Sequence, residues 1–166
     1  MAQLELVHSA QRDERAPRGD HSVITHLVDE GARVLDIGCG DGALLALLAR
    51  ECKTRGSGLE RDPALVRACI SRGLSAAQGD ANTDLAQFPS GSFDVVILSH
   101  TLQHVHDPRE TLKQAARIGA RVVVTIKNAA HIGARTKLAF GGRAANWDHL
   151  HRAASVRDLA ELARAC

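Results

Sequence analysis

Aromatic residues are scarce in this chain, whose 166 residues contain three phenylalanines, one tryptophan and no tyrosine. The chain therefore has no platform on which successive nucleic-acid bases could stack. Its 21 lysines and arginines nearly balance 19 aspartates and glutamates, for a formal charge of +2, and no basic block dominates. Both observations argue against a partner that is a nucleic acid.

Paired cysteines and long apolar runs are also missing. Neither a C-x-x-C pair nor a zinc-type pair is formed by the cysteines, which are Cys39, Cys52, Cys69 and Cys166. This pattern fits a reducing compartment better than a secreted disulfide framework. No uncharged apolar stretch approaches the roughly 18 residues of a membrane helix, and the N-terminus lacks the apolar core of a signal peptide. We therefore expect a cytoplasmic protein that does not bind a membrane.

The composition that remains is that of a folded domain, with 45% hydrophobic and 24% charged residues. A chain of this length supports one domain with its own core. Residues 1–19 are polar and rich in arginine, with no sustained period, and we interpret them as a flexible arm. We expect a single domain over residues 20–166.

Short β-branched runs alternate with capped helices, which predicts a parallel sheet. Asp20 can cap a first helix, and proline-containing caps at Asp62 and Asp107 begin two later helices. The second of these caps is predicted to be a capping box in which Glu110 reaches back to Asp107. The predicted strands are Arg33–Ile37, Gly56–Glu60, Ser75–Gln78, Phe93–Leu98 and Arg121–Ile126. We expect an α/β, doubly wound sheet of strand order 3-2-1-4-5, with a ligand crevice above the first and fourth strands. An irregular stretch follows, and then a last helix capped by Ser155.

The most informative segment is VLDIGCGDG, where the first predicted strand enters a glycine turn and then a helix. Gly38 and Gly40 let the backbone approach a ligand closely, and the helix start offers free N–H groups to an anion. With Ala43 the segment also matches G-x-G-x-x-A, the dinucleotide-binding pattern. Asp36 favours a different ligand, because a carboxylate there would repel a pyrophosphate but attract the ammonium and sulfonium of S-adenosylmethionine. A tight turn without a ligand is the third interpretation.

Polar residues also end the second and third predicted strands. Glu60 could accept hydrogen bonds from both hydroxyls of a ribose, although alone it would be an ordinary exposed glutamate. Asp80, after Gly79, could accept from an adenine amino group while Ala81 donates its backbone N–H. An aspartate that only shapes the turn is an equally good interpretation of Asp80.

The fourth predicted strand is followed by the polar residues Ser99, His100, Thr101, Gln103, His104 and His106. These histidines lack an H-E-x-x-H motif and a carboxylate partner, so we expect no metal site. His100 is the candidate proton acceptor, because an imidazole titrates near neutral pH. We expect His104 to pack on the nucleotide or on the core. A second cluster, Asp148, His149 and His151, is interpreted as a solvated approach to the last helix.

Four segments resemble the class I S-adenosylmethionine-dependent methyltransferases: VLDIGCGDG, GLERDP, QGDAN and FPSGSFDVVILSHTLQHVHDPRETLKQAARIGARVVVTIKN. The later ones are most similar to the MetW family of methionine biosynthesis, over about residues 20–143, including NAAHIGARTKLAFGGR. The resemblance implies a Rossmann-like fold that binds S-adenosylmethionine, with S-adenosylhomocysteine as product. It assigns the methionine moiety to Asp36, Gly38, Gly40 and Gly42, the ribose to Glu60 and the adenine to Asp80. Further cofactor-binding candidates in these segments are Cys39, Asp41, Arg61, Gly79, Ala81 and Ser99.

The resemblance also implies a protein partner, because the MetW family is associated with homoserine O-acyltransferase. Two functions therefore stay open. The chain either transfers a methyl group to an unidentified small-molecule acceptor, or is a non-catalytic, cofactor-binding regulatory partner of the acyltransferase. A nicotinamide-dependent dehydrogenase, suggested by G-x-G-x-x-A, is a weaker third alternative.

Three departures from the family pattern bear on these expectations. Lys127 stands where the family usually has proline, and the aromatic neighbour is replaced by alanine, so the acceptor side is expected to differ. The likeness to MetW fades from Ala144 onward. The family's sheet usually continues with two strands after the last helix, and this sequence stops before them. We therefore expect the fifth strand to be an exposed apolar edge, which either reflects truncation or is covered by a second chain, as in a homodimer.

Overall fold

A six-stranded parallel sheet organises the computed structural model, which describes residues 3–9 and 19–127. Its strands are β1 (Gln3–Ser9), β2 (Arg33–Ile37), β3 (Arg55–Glu60), β4 (Ser75–Gln78), β5 (Phe93–Ser99) and β6 (Gly119–Lys127). The helices are α1 (Gly19–Leu27), α2 (Ala43–Cys52), α3 (Pro63–Ser71) and α4 (Pro108–Ile118), with 3-10 turns at Leu85–Gln87 and Leu102–His104.

The strand order is β1-β6-β5-β2-β3-β4. The five strands predicted from the sequence therefore lie in the predicted order 3-2-1-4-5, and this part of the fold prediction is confirmed. From β2 the chain adds β3 and β4 on one side of the sheet, and then returns to add β5 and β6 on the other side. The order of the strands therefore reverses between β2 and β5, which pair in parallel. In such sheets a crevice opens beyond the carboxyl ends of the two strands at the reversal.

Two helices begin at the predicted caps. The Asp62 carboxylate accepts a hydrogen bond from the Ala64 amide at 2.7 Å, and Pro63 is the first residue of α3. The Asp107 carboxylate likewise accepts from the Glu110 amide at 3.0 Å at the start of α4. The Glu110 side chain accepts from Gln114 at 2.8 Å, so the predicted return contact of a full capping box is not made.

Apolar side chains cover both faces of the sheet, as the continuous apolar run of β5 predicts. Val96 and Leu98 pack with Leu112 and Ile118 of α4 on one face. The alternate residues Val95 and Ile97 pack on the other face, together with α1 and α2 residues that include Ile24, Leu44 and Leu48. The central strands are thereby fixed, and with them the positions of the loops at their carboxyl ends.

β1 is not among the strands predicted from the sequence. Gln3–Ser9 forms a parallel strand on the outer edge of β6, paired from Gln3 with Arg121 to Ser9 with Lys127. The expectation that this part of the chain belongs to a flexible arm is therefore wrong for residues 3–9. The β6 edge is covered within the chain, so the expected pairing of that edge with a second copy is also wrong. An apolar edge strand favours pairing with another strand. In this protein β1 of the same chain is the strand that pairs with β6.

Several predictions lie outside the described residues: the last helix capped by Ser155, the cluster Asp148, His149 and His151, and the MetW-like segment after Lys127. Within the part that the structure describes, no helix is long and apolar enough to cross a membrane.

Candidate functional site

A glycine loop, residues 38–42, joins β2 to α2 at the crevice. Gly38, Gly40 and Gly42 all have positive φ, at 76°, 57° and 79°. The loop is held against β3, because the Gly38 amide donates to the Leu59 carbonyl at 2.7 Å. Thr101, after β5, also holds it, since its hydroxyl donates to the Ile37 carbonyl at 2.6 Å. A methyl group on Gly38 would lie 2.4 Å from that hydroxyl oxygen, so glycine is required by close approach as well as by backbone conformation.

Asp36 lies beneath this loop with 2% of its surface exposed. Its Oδ1 is buried and has no hydrogen-bond partner among the described residues. Burial, and then the negative charge of Glu60, raises the pKa of Asp36 to about 7. Asp36 and the loop line a cavity of about 650 Å³, which Ser99 and His21 also line. A buried carboxylate beside a cavity, with one oxygen that lacks a donor, favours a cationic or hydrogen-bond-donating ligand.

Glu60, the last residue of β3, is hydrogen-bonded both to the glycine loop and to the residue that follows β4. Its Oε2 accepts from the Gly40 amide and its Oε1 from the Asp62 amide, both at 2.9 Å. The Glu60 carbonyl also accepts from the Gly79 amide at 3.0 Å. Each carboxylate oxygen keeps lone pairs for further donors, so the predicted ribose contact is compatible with this arrangement. Arg61 follows as an exposed residue.

Asp80 shapes the turn after β4. Its Oδ1 accepts from the Asn82 backbone amide at 2.8 Å and from the Asn82 side chain at 2.5 Å. The Asn82 backbone bond is the main cause that lowers the pKa of Asp80 below its ordinary value. Asn82 in turn accepts from the His106 amide at 2.7 Å, which joins this turn to the loop after β5. Ala81 is half-buried and packs against the core. The turn role of Asp80 is thus observed, and its adenine role stays a prediction.

Cys39 and Asp41 belong to the glycine loop, but their side chains make protein contacts. The Cys39 thiol lies 4.0 Å from the Cys69 thiol, and burial raises the pKa of Cys39 well above its ordinary value. The Asp41 carboxylate accepts from the Ala43 amide at 3.2 Å and pairs with Arg72 at 2.9 Å. These two side chains hold the loop to α2 and α3.

A buried polar cluster lies at the carboxyl ends of β5 and β6. Its centre is Asp20, whose Oδ2 is 2.9 Å from Nε2 of His100. The same oxygen accepts from the Ser99 and Thr125 hydroxyls, each at 3.2 Å. Burial alone would raise the pKa of Asp20, but the hydrogen bond and charge of His100, together with the charge of His21, lower it well below its ordinary value. The sequence analysis used Asp20 only as a helix-capping residue and missed this role, because its partners are 79 and 105 residues away.

Of the two contacts predicted for His104, the one with the core is not made, and the one with the nucleotide stays a prediction. His104 lies exposed in the Leu102–His104 turn, so its predicted packing on the core is wrong. Within the described ranges, no group of three or more histidine, cysteine, aspartate or glutamate side chains is arranged to hold a metal ion. Leu47 of α2 is half-buried and lines the cavity. Part of the apolar face of α2 therefore belongs to the cavity wall.

The parallel sheet, its strand order and the glycine loop place the chain among proteins with the class I methyltransferase fold. A solved S-adenosylmethionine-dependent methyltransferase of Thermotoga maritima, described as a possible histamine N-methyltransferase, superposes with a TM-score of 0.70. That match covers 88% of this chain and 68% of the other at 23% identity, which supports the fold alone.

Within that fold the chain belongs to the MetW family, described as methionine biosynthesis protein MetW, whose sequence profile matches residues 18–154. A bifunctional methionine biosynthesis protein MetXA/MetW of Rhodopirellula baltica is 32% identical over 114 residues, which are 64% of this chain and 18% of that protein. A ubiquinone biosynthesis O-methyltransferase of Xanthomonas oryzae is 39% identical over 93 residues, 53% of this chain and 38% of that enzyme. The chain thus spans less than half the length of these relatives.

Proposed function

We propose that this MetW-family protein binds S-adenosylmethionine at the glycine loop and transfers its methyl group to a small-molecule acceptor. The observation that carries the proposal is Asp36, a buried carboxylate beside the cavity with one oxygen that lacks a donor. The methyltransferase fold and the O-methyltransferase relative support the same ligand class.

The residues present fit this cofactor. Asp36 would accept a hydrogen bond from its ammonium group and favour its positive charge, whereas a pyrophosphate would be repelled. Gly38, Gly40 and Gly42 would let the backbone approach the methionine moiety, and Glu60 would accept hydrogen bonds from the ribose hydroxyls. Asp80 and the Ala81 amide would contact the adenine. When bound, S-adenosylmethionine supplies an electrophilic methyl group on a sulfonium sulfur.

His100 is the proposed proton acceptor for the transfer. It follows β5 directly, and the adjacent residue, Ser99, lines the cavity. Its side chain is 11% exposed, so it is shielded from bulk water. Because methyl transfer is a displacement that depends chiefly on proximity and orientation, one such base is sufficient.

A second candidate function is regulation of an acyltransferase. It is favoured by the Rhodopirellula baltica relative, whose name joins MetXA and MetW in one bifunctional protein. In this alternative the chain binds the cofactor or its product, and the bound state alters its interaction with homoserine O-acyltransferase.

One experiment separates the two functions. The purified protein is incubated with S-adenosylmethionine and a small-molecule cell extract, and release of S-adenosylhomocysteine is followed by mass spectrometry. Transfer predicts release that requires both protein and extract. The regulatory alternative predicts no release, together with a cofactor-dependent change in the activity of added homoserine O-acyltransferase.

A further inference from the structure

The turn after β4, residues 80–84, has a backbone that is fixed by its own hydrogen bonds. The Asp80 amide donates to the Asp84 carboxylate at 2.8 Å. The Asp80 carbonyl accepts from the Thr83 amide at 3.1 Å and from the Asp84 amide at 2.9 Å. Ala81 packs against the core at the same place. The backbone of Asp80 is therefore held, and the rotation of its side chain is the freedom that remains.

Asn82 restricts that rotation. Its backbone amide and its side-chain nitrogen both donate to Oδ1 of Asp80, at 2.8 Å and 2.5 Å. The other carboxylate oxygen, Oδ2, accepts no hydrogen bond from any residue in the described ranges. Asp80 is only half-buried, and each carboxylate oxygen can accept hydrogen bonds. Oδ2 is thus the oxygen that a ligand's donor would meet.

The orientation of the Asn82 amide group is set from a second loop. Its Oδ1 accepts from the His106 backbone amide at 2.7 Å, and His106 directly precedes Asp107, the cap of α4. A backbone N–H can only donate, and an ionised carboxylate can only accept. The oxygen of the amide group must therefore face His106, and its nitrogen must face Asp80. The loop after β5 thereby fixes the donor that holds the Asp80 carboxylate.

We propose that Asn82 is a positioning residue of the adenine contact, which presents Oδ2 of Asp80 to the 6-amino group of the cofactor. This inference rests on the proposed binding of S-adenosylmethionine, in which Asp80 contacts the adenine. A donor that meets an ionised oxygen forms a charge-assisted hydrogen bond. A carboxylate already held in one rotamer loses less conformational entropy when the base binds. Because Asn82 acts through Asp80, it should control the preference for a purine that carries an amino group at position 6.

The inference is tested by calorimetric titration of the full chain with two ligands. One is S-adenosylhomocysteine, and the other is its analogue in which hydrogen replaces the 6-amino group. The analogue keeps the ring nitrogen that would accept from the Ala81 amide, so the ratio of the two dissociation constants isolates the amino contact. Wild type should bind S-adenosylhomocysteine roughly tenfold more tightly than the analogue, as expected for a hydrogen bond to a charged group.

Two substitutions of Asn82 should reduce this ratio to about threefold or less. Asn82→Ala removes the side-chain donor, and Asn82→Asp keeps the size of the side chain and an acceptor for His106 but offers Asp80 no donor. If Asn82→Ala does not fold, Asn82→Asp carries the test. Gln87→Ala is the matched control, because Gln87 is also a side-chain amide that donates to a carboxylate of this turn, that of Asp84 at 3.3 Å. Its ratio should equal that of wild type.

A double substitution checks that Asn82 acts through Asp80. In the Asp80→Asn background the oxygen that meets the amino group is lost, so adding Asn82→Ala should not lower the ratio further. A further decrease there would overturn the positioning role. An unchanged ratio in the folded Asn82 variants, or an equal decrease in Gln87→Ala, would also overturn it. Wild type that binds both ligands equally would refute this inference and leave cofactor binding intact, whereas wild type that binds neither would contradict the proposed cofactor site itself.

Discussion

At the scale of single residues, the proposed function depends on Asp36, a buried carboxylate whose ionisation costs free energy in the folded protein. Burial and the nearby Glu60 raise the pKa of Asp36 to about 7. An acid with a raised pKa in the folded state holds more protons there than in the unfolded chain between about pH 4 and pH 7. Its contribution to stability therefore decreases as pH rises through that window.

The first prediction concerns Asp36→Asn in the ligand-free protein. The substitution removes a buried charge whose Oδ1 has no hydrogen-bond partner among the described residues, so the melting temperature at pH 8 should rise. The gain should vanish near pH 5, where Asp36 is protonated. Differential scanning calorimetry at both pH values measures this. A variant less stable than wild type at pH 8 would show that the carboxylate is already satisfied.

The second prediction is the pH dependence of cofactor binding. Only ionised Asp36 attracts a cation, and with a pKa of about 7 its ionised fraction changes about tenfold between pH 6 and pH 8. As pH falls from 8 to 6, S-adenosylmethionine affinity should therefore decrease about tenfold more in wild type than in Asp36→Asn. Comparing the two proteins cancels titration of the ligand itself. If the affinities of wild type and Asp36→Asn changed equally with pH, the pH dependence of binding would belong to a group other than Asp36.

At the scale of elements, the glycine loop between β2 and α2 packs closely against Thr101 in the loop after β5. Gly38 and Gly73 have nearly the same φ, 76° and 75°, but only Gly38 has atoms in the way of a side chain. Alanine substitutions at these two positions therefore separate the cost of the backbone conformation from the cost of steric overlap.

The third prediction uses that pair. Gly73→Ala should lower the free energy of unfolding by about 1 kcal/mol through its φ alone. Gly38→Ala should cost about 1–3 kcal/mol more, because its methyl would overlap Thr101. Urea unfolding measures both, and equal losses would contradict the close approach of Thr101 to the loop.

Elements marked by local signals were predictable from the sequence, and those that depend on distant contacts were not. Asp62 and Pro63 mark the start of α3, because the cap and the amide it binds lie within three residues of each other. The apolar run of β5 identifies a central strand. β1 was missed because a seven-residue strand beside an arginine-rich stretch acquires its partner only when β6, more than 100 residues later, has formed. Asp20 was likewise assigned only a local capping role, because its partners come from β5 and β6.

At the scale of the whole molecule, the N-terminal strand completes the sheet and protects the edge of its last strand. β1 is paired along its full length with β6. This segment, which carries no ligand-binding motif, thus supplies the backbone partner of the last strand.

The fourth prediction follows from that pairing. Replacing residues 3–9 by glycine and serine should expose the β6 edge, lower the melting temperature and promote association, because unpaired apolar edges recruit other chains. Light scattering during size-exclusion chromatography measures the association. Unchanged mass and melting temperature would mean that β1 does not protect this edge in solution.

Isothermal titration calorimetry tests the central claim most directly, with S-adenosylmethionine and, separately, NAD titrated into wild type and Asp36→Asn. The account predicts that wild type binds S-adenosylmethionine but not NAD. It also predicts that the variant, although folded, binds S-adenosylmethionine at least about a hundredfold more weakly, the loss expected for a buried charge-assisted contact. Binding of NAD instead, or an S-adenosylmethionine affinity unaffected by the loss of the Asp36 charge, would contradict it.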